Sequence, residues 1–221
     1  VGDVYESRVW RHLKADGSEI EVLSFGRRVV FGERDAFLVA LLDVTERRRA
    51  EQRIAHMAHH DALTNLPNRV LFHDRLTNTL ARKRNHGQAI AVMCVDLDLF
   101  KNVNDSFGHP IGDRLLQLVS HRFTHRLRGT DLVARVGGDE FAVILDPVAN
   151  PAEAGQIASQ VIDALSAPYD IEGIEIVIGA SIGIAMSPGD GTCADELIRN
   201  ADMALYRAKA EQRGTHRFFE Q

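Results

Sequence analysis

The chain has 221 residues, 45% of them hydrophobic and 26% charged, with a formal net charge of −5. That length holds one large domain, or one domain with a fragment attached, and the composition is that of an ordinary globular protein. The mild acidity argues against bulk nucleic-acid binding, which needs a broad basic surface, but allows one bound nucleotide if a metal brings positive charge with it.

The chain starts at Val1 with neither a signal peptide nor a long apolar stretch, so this segment is expected to be cytoplasmic and to make no membrane contact; membrane tethering of a parent protein stays open. Both ends look cut from a longer protein. Residues 1–45 alternate as strands: Val9 to Leu13, the turn Ala15-Asp16-Gly17-Ser18, Ile20 to Leu23, then Phe37 to Leu42. Three strands joined by Gly/Asp turns make a meander too small to bury a core alone. Trp10 to Gly17 and the closing Asp43-Val44-Thr45-Glu46-Arg47 resemble the last three strands and exit of a PAS domain. Most of that family's ligand pocket lies in its first half, so no ligand follows from the resemblance.

Residues 46–60 read as a charged connector helix with Thr45 as N-cap. Its arginines at 47, 48, 49 and 53 form a solvated face. Ile54, Met57 and Ala58 can form a seam against a second copy, although the piece is short for a coiled coil. His56, His59, His60 and, later, His109 lack cysteine partners at zinc spacing and read as capping and packing residues.

Residues 61–221 mix helices and strands. The pattern predicts helices over 69–85, 112–127, 151–166 and 193–212. Strands are expected at 89–96, 131–136, 140–146, 174–186 (paired with 169–171 across Glu172-Gly173) and 216–219. The fold class is α/β, an α+β sandwich with one mostly antiparallel sheet and helices packed on it. The stripes Ala154, Ile157, Ala158, Val161, Ile162, Leu165 and Leu197, Ile198, Ala201, Ala204, Leu205, Ala208 repeat at helical spacing and belong to the core.

Ala89 to Val95 is a continuous apolar run, as expected for a central strand buried on both faces, and carries Cys94 as a buried thiol of a reducing compartment. It ends in Asp96-Leu97-Asp98. Acids at the end of a buried strand are costly unless a cation or a donor satisfies them. Alternation puts Asp96 and Asp98 on one side, and Leu97 can offer only its carbonyl. Asp98 and Asp105 are expected to cap the following turn, and Asp96 to bind a ligand. Further on, Gly137-Gly138-Asp139-Glu140-Phe141 lies between strand-forming flanks, so the two acids sit at a hairpin tip. Glycines there let a polyanion approach the backbone, and two carboxylates beside them can hold a divalent cation. If the central strand neighbours this hairpin, Asp96, Asp139 and Glu140 converge into an oxygen donor set suited to Mg²⁺.

Four blocks in order, Asp61-x-Leu63-Thr64-x-Leu66-Pro67-Asn68-Arg69, Asp96-x-Asp98-x-Phe100-Lys101-x-x-Asn104-Asp105, Gly108-His109-x-x-Gly112-Asp113 and Gly137 to Phe141, resemble the GGDEF family of diguanylate cyclases over residues 57–219. The resemblance implies a nucleotidyl-cyclase or polymerase-palm fold, and condensation of two GTP into cyclic di-GMP and pyrophosphate by a two-fold homodimer. It implies metal ligation by Asp96, the Leu97 carbonyl, Asp139 and Glu140, with two Mg²⁺ or Mn²⁺ ions per half-site. Asp139 matches the proposed general base, Glu140 the second signature acid and Lys101 a lysine near the phosphates. Asn104 and Asp113 match the residues that read guanine, whose N1–H and N2–H₂ edge a carboxylate can accept from. Gly138 and the backbone after Asp98, at Phe100, match phosphate contacts. Asp202, Tyr206, Lys209 and Arg213 share one face of the last helix, where Lys209 and Arg213 match cations on the triphosphate. Arg128-x-x-Asp131 matches the inhibitory site at which cyclic di-GMP arrests the enzyme. Arg217-Phe218-Phe219-Glu220 resembles the junction to an EAL phosphodiesterase domain. The alternatives are a silent GTP or cyclic di-GMP receptor regulating an attached domain, and a dimerisation module with the cyclase as passenger.

Overall fold

Three antiparallel strands open the described chain: β1 (Val4–Leu13), β2 (Glu19–Phe31) and β3 (Arg34–Asp43), in the order β1-β2-β3. The computed structural model describes residues 4–32, 34–83 and 89–220. The chain divides into two units, one ending at Ala58 and the other beginning at His59.

In the first unit, Asp16 shapes the turn between β1 and β2 by accepting from the Ser18 N–H (2.9 Å) and hydroxyl (2.6 Å). Helix α1 (Thr45–Met57) follows β3. Thr45 is not its N-cap: that position falls to Val44, which makes no side-chain cap. The Thr45 hydroxyl instead donates to Asp43 (2.6 Å) and accepts from the Glu21 N–H (2.8 Å), tying the helix start to β2 and β3. The helix also stops at Met57 and not at 60, with Arg47 and Glu51 paired along it at 2.8 Å. Ile54 and Met57 are exposed.

The second unit runs α2 (Arg69–Lys83), β4 (Ala89–Asp98), α3 (Phe100–Phe107), α4 (His109–Arg126), β5 (Leu132–Arg135), β6 (Glu140–Val148), α5 (Pro151–Ser166), β7 (Tyr169–Ile171), β8 (Ile174–Ile176), β9 (Gly179–Ser187), α6 (Ala194–Glu211) and β10 (His216–Phe218). The expected ends of α2 at Arg84 and Asn85 lie outside the described residues. The main sheet has the order β10-β9-β4-β6-β5, antiparallel except for the β10–β9 pair.

β4 is central and buried on both faces. Ala91, Met93, Val95 and Leu97 face a core shared with α4 and α5 through Leu115, Leu116, Phe123, Ala158 and Val161. Ile90 and Val92 face a second core with α2 and α6 through Phe72, Leu76, Leu197 and Ala201. Period-two alternation therefore sends Cys94, Asp96 and Asp98 toward the α2/α6 side.

Two stretches of this unit differ from expectation. The stretch 174–186 is not one strand: Ile174–Ile176 pairs with Tyr169–Ile171 in a separate hairpin, and the chain rejoins the main sheet at Gly179. Glu172 and Gly173, with φ of 55° and 80°, make the tight turn. Second, α3 is a helix where a turn was expected, and α4 starts three residues earlier than expected, at His109 with Pro110 in its first turn. Gly108, at φ 84° and ψ 160°, separates the two helices. Among the described residues no helix is long and apolar enough to cross a membrane.

Candidate active site

The acids of the central strand meet the hairpin tip. Asp96 and Glu140 are register partners across β4 and β6, and the Leu97 N–H donates to the Asp139 carbonyl (3.2 Å). The hairpin closes through Glu140, whose carbonyl accepts from the N–H groups of Val136 (3.0 Å) and Gly137 (3.4 Å). The Glu140 side chain folds back over Gly137, where a Cβ would lie 2.6 Å from its Oε2. Gly138 is exposed, with open space where a side chain would stand. Asp96, the Leu97 carbonyl, Asp139 and Glu140 all offer hard oxygen donors, of the kind that suits Mg²⁺ or Mn²⁺ and not a thiolate- or imidazole-seeking metal. Among the described residues no three acidic, histidine or cysteine side chains are already gathered as a cage.

Sequence reasoning did not single out Arg135, which organises this turn. Its Nε and Nη2 donate to the Gly138 carbonyl (3.0 and 2.8 Å), and its Nη1 lies 2.9 Å from Asp61 Oδ1. Burial works against the Asp61 charge, but hydrogen bonds from Thr64 and Arg135 hold its carboxyl below the usual range. The signal was available as an arginine two residues ahead of Gly137, at the last position of β5.

Helix α6 and the turn after it bring cations to the strand acids. The helix crosses β9 so closely that a Cβ on Gly183 would fall 2.0 Å from the Ala201 carbonyl oxygen and 2.1 Å from the Leu205 nitrogen. Lys209, in the last turn, then sits 2.6 Å from Asp96 Oδ2, while Arg213, expected on the same helix face, lies past the end of α6 at Glu211 and still comes 3.5 Å from Asp98 Oδ1. Burial pushes the Asp96 carboxyl up, Lys209 pulls it back, and the charges of Asp139 and Asp98 push it up further. Asp98 does not cap the following turn. Its carboxylate accepts from the Ser181 hydroxyl (2.8 and 3.0 Å) and the Gly214 N–H (3.0 Å), locking the turn after α6 to β4 and β9.

Beyond β4 the chain turns through Leu99 (φ 61°) into α3, which carries Phe100, Lys101 and Asn104. Phe100 is buried and Lys101 exposed. Asn104 lies over Gly112 of α4, where a Cβ would come within 1.9 Å of its Oδ1, and exposed Asp113 follows. Asp202 and Tyr206 are exposed on α6. Asp202, Glu140 and Cys94 line a groove of about 410 Å³. Burial, then the charges of Asp202 and Glu140, push that thiol up to about 12, so it is no nucleophile.

Arg128 and Asp131 lie apart from these acids, ahead of β5. Asp131 accepts from the N–H groups of Arg128 (3.0 Å) and Asp146 (3.2 Å). The Arg128 guanidinium pairs with Glu153 of α5 at 2.8 Å.

A family model described as "Diguanylate cyclase, GGDEF domain" matches residues 58–215. The diguanylate cyclase TpbB of Pseudomonas aeruginosa is 42% identical over 187 residues, covering 82% of this chain and 43% of that protein. The bifunctional diguanylate cyclase/cyclic di-GMP phosphodiesterase MucR of the same species is 41% identical over 195 residues, covering 84% of this chain and 28% of that protein. The chain thus spans less than half the length of these relatives. A solved structure of the GGDEF domain of TpbB superposes with a TM-score of 0.72 at 43% identity, covering 73% of this chain and 95% of that one.

Proposed function

The chain belongs to the GGDEF family of diguanylate cyclases, and on that premise we propose that it condenses two GTP molecules into cyclic di-GMP. The 3′-oxygen of each GTP attacks the α-phosphorus of the other. Two P–O bonds form, two break, and two pyrophosphates depart. The observation that carries this reading is the pairing of Asp96 with Glu140 across adjacent strands, with Asp139 held at the same tip.

In this reading Asp139 takes the proton of the 3′-hydroxyl, placed by the hairpin that Arg135 fixes. Asp96, the Leu97 carbonyl, Asp139 and Glu140 would hold the divalent cations, two per half-site. Mg²⁺ or Mn²⁺, when bound, lowers the pKa of the attacking hydroxyl and neutralises the departing pyrophosphate. Lys101, at the start of α3, is a fixed cation for charge developing on the phosphates. Gly138 and the backbone at Phe100 approach the phosphates, and Lys209 and Arg213 hold the triphosphate. Asn104 and Asp113 read the guanine edge. Adenine presents an acceptor at N1, which repels a carboxylate, so selectivity for GTP follows.

Each chain presents one GTP, through its second unit, so the reaction needs two copies facing each other about a two-fold axis. Cyclic di-GMP returns as a feedback ligand at Arg128 and Asp131. Incubation with GTP and Mg²⁺, followed by chromatography, tests the activity: cyclic di-GMP from the parent chain and none from Asp139→Ala is the expected result. Nucleotide binding without product would assign the chain a receptor role. Specific activity should fall on dilution; a value independent of concentration well below the dimer constant would remove the dimer requirement.

A further inference from the structure

Asp96 and Asp98 point to the same side of β4, yet their partners differ in kind. Asp98 is satisfied by Ser181 and the Gly214 N–H, so it keeps its hydrogen bonds whatever Arg213 does. Asp96 is instead ion-paired with Lys209 at 2.6 Å, with the two side chains 10% and 29% exposed. Asp96 is also the acid at which the hairpin tip and strand end meet.

We propose that Lys209 is an exchangeable counter-ion of Asp96, which makes divalent-metal binding at this site depend on the nucleotide. The proposal rests on the functional reading above. A cation arriving alone must displace an ammonium group held at the acid it needs, and leaves that half-buried ammonium without its partner. A triphosphate gives Lys209 new oxygens to bind, so the displacement is compensated. Metal and nucleotide then bind with positive linkage, each strengthening the other by the same factor.

The test is Mn²⁺ affinity, followed by the electron-spin signal of the unbound ion, on the full chain with and without a non-hydrolysable α,β-methylene analogue of GTP. Metal held by the analogue in solution is subtracted. In the parent chain the analogue should tighten Mn²⁺ binding about tenfold or more. Lys209→Gln should bind Mn²⁺ alone about tenfold more tightly than the parent, with a smaller gain from the analogue. Lys209→Arg keeps the charge and should keep the weak binding of metal alone. A merely structural lysine predicts the reverse, since losing it would misplace Asp96 and weaken the metal. Circular dichroism confirms that each variant is folded. The exchange is overturned if Lys209→Gln binds Mn²⁺ no more tightly than the parent, or if the parent shows no linkage. Should the parent still make cyclic di-GMP in that case, only the exchange is lost. A parent chain that neither binds Mn²⁺ with the analogue nor makes product removes the functional reading and the exchange together.

Discussion

Arg135 grips the carbonyl of Gly138 through two nitrogens, at 3.0 and 2.8 Å, while its third reaches Asp61 at 2.9 Å. One planar guanidinium thus ties the glycine turn to the segment leading into α2. The Arg135 side chain is 13% exposed and that of Asp61 25%, so solvent screens the pair weakly. Arg135→Ala removes both guanidinium donors from the Gly138 carbonyl and the arginine from Asp61, which keeps its Thr64 donors, and should cost about 2 kcal/mol in urea unfolding. It should also lower kcat about 100-fold, because a displacement of the Asp139 turn by an ångström is enough. Arg135→Lys restores the charge but not the fork, so it should recover stability more than turnover. An unchanged kcat in Arg135→Ala would show that the turn holds its shape without the arginine.

Asn104 rests on Gly112, and this contact leads to a specificity prediction. A Cβ at 112 would stand 1.9 Å from Asn104 Oδ1, a separation no real pair of atoms tolerates. Gly112 lies within α4, where alanine suits the backbone, so the fold should survive. The asparagine must swing away. Gly112→Ala should therefore raise KM for GTP about tenfold with a smaller change in kcat, the mark of lost ground-state binding. Steady-state kinetics with GTP and ATP decide it; an unchanged KM would take Asn104 out of guanine recognition.

Most of the second unit could be read from apolar spacing. Ala89 to Val95 has no polar interruption, and β4 is buried on both faces; the stripes of α5 and α6 lie in the cores as expected. What spacing could not reveal are features that depend on contacts distant in sequence. Helix α3 is eight residues long with only Phe100 and Val103 buried, too little repeat to stand out from a polar turn. The break between Ile176 and Gly179 follows from a change of sheet in mid-run, where every residue remains strand-forming. For the site, the acids and basic residues were legible as types at fixed spacing. Their partners were not. Asp98 reads as a cap because its real partners, Ser181 and Gly214, are 83 and 116 residues away. Arg135 draws no attention until the fold brings Asp61 beside it.

His216 gives the fold a pH dependence. Burial, then the charge of Arg217, holds its imidazole below the ordinary value of 6.5. The ring meets Phe218 edge-on at 6.0 Å between centroids, and its Nε2 would lie 3.3 Å from a Cβ at Gly155 of α5. Because the folded pKa is depressed, protons bind the unfolded chain more readily. The neutral ring's contribution is therefore present above pH 6.5 and lost as pH falls through the folded value. The Tm of the parent chain should drop between about pH 7 and pH 5 by more than that of His216→Gln, which cannot titrate. Equal drops in the two proteins would place the acid sensitivity elsewhere.

The pairing of Arg128 with Glu153 bears on the product feedback proposed above. Glu153 Oε1 takes the guanidinium at 2.8 Å, while Oε2 accepts from the Ala149 N–H at 2.7 Å. The Ala149 hydrogen bond, then Arg128, holds the Glu153 carboxyl below its ordinary range, so it stays charged at neutral pH. A phosphate or guanine edge that draws on Arg128 must compete with this carboxylate. Arg128 is more than half exposed, so the competition is mild. Glu153→Gln removes the competing charge and should tighten inhibition by cyclic di-GMP about threefold, leaving the initial rate without product unchanged. Arg128→Ala should weaken inhibition more than about tenfold, since a charge-assisted fork is lost. Calorimetric titration with cyclic di-GMP, alongside rates at rising product, reads both effects. Inhibition equal in all three proteins would place the feedback site away from Arg128 and Asp131. Weaker inhibition in Glu153→Gln would mean that the carboxylate positions the arginine for the ligand and does not compete with it.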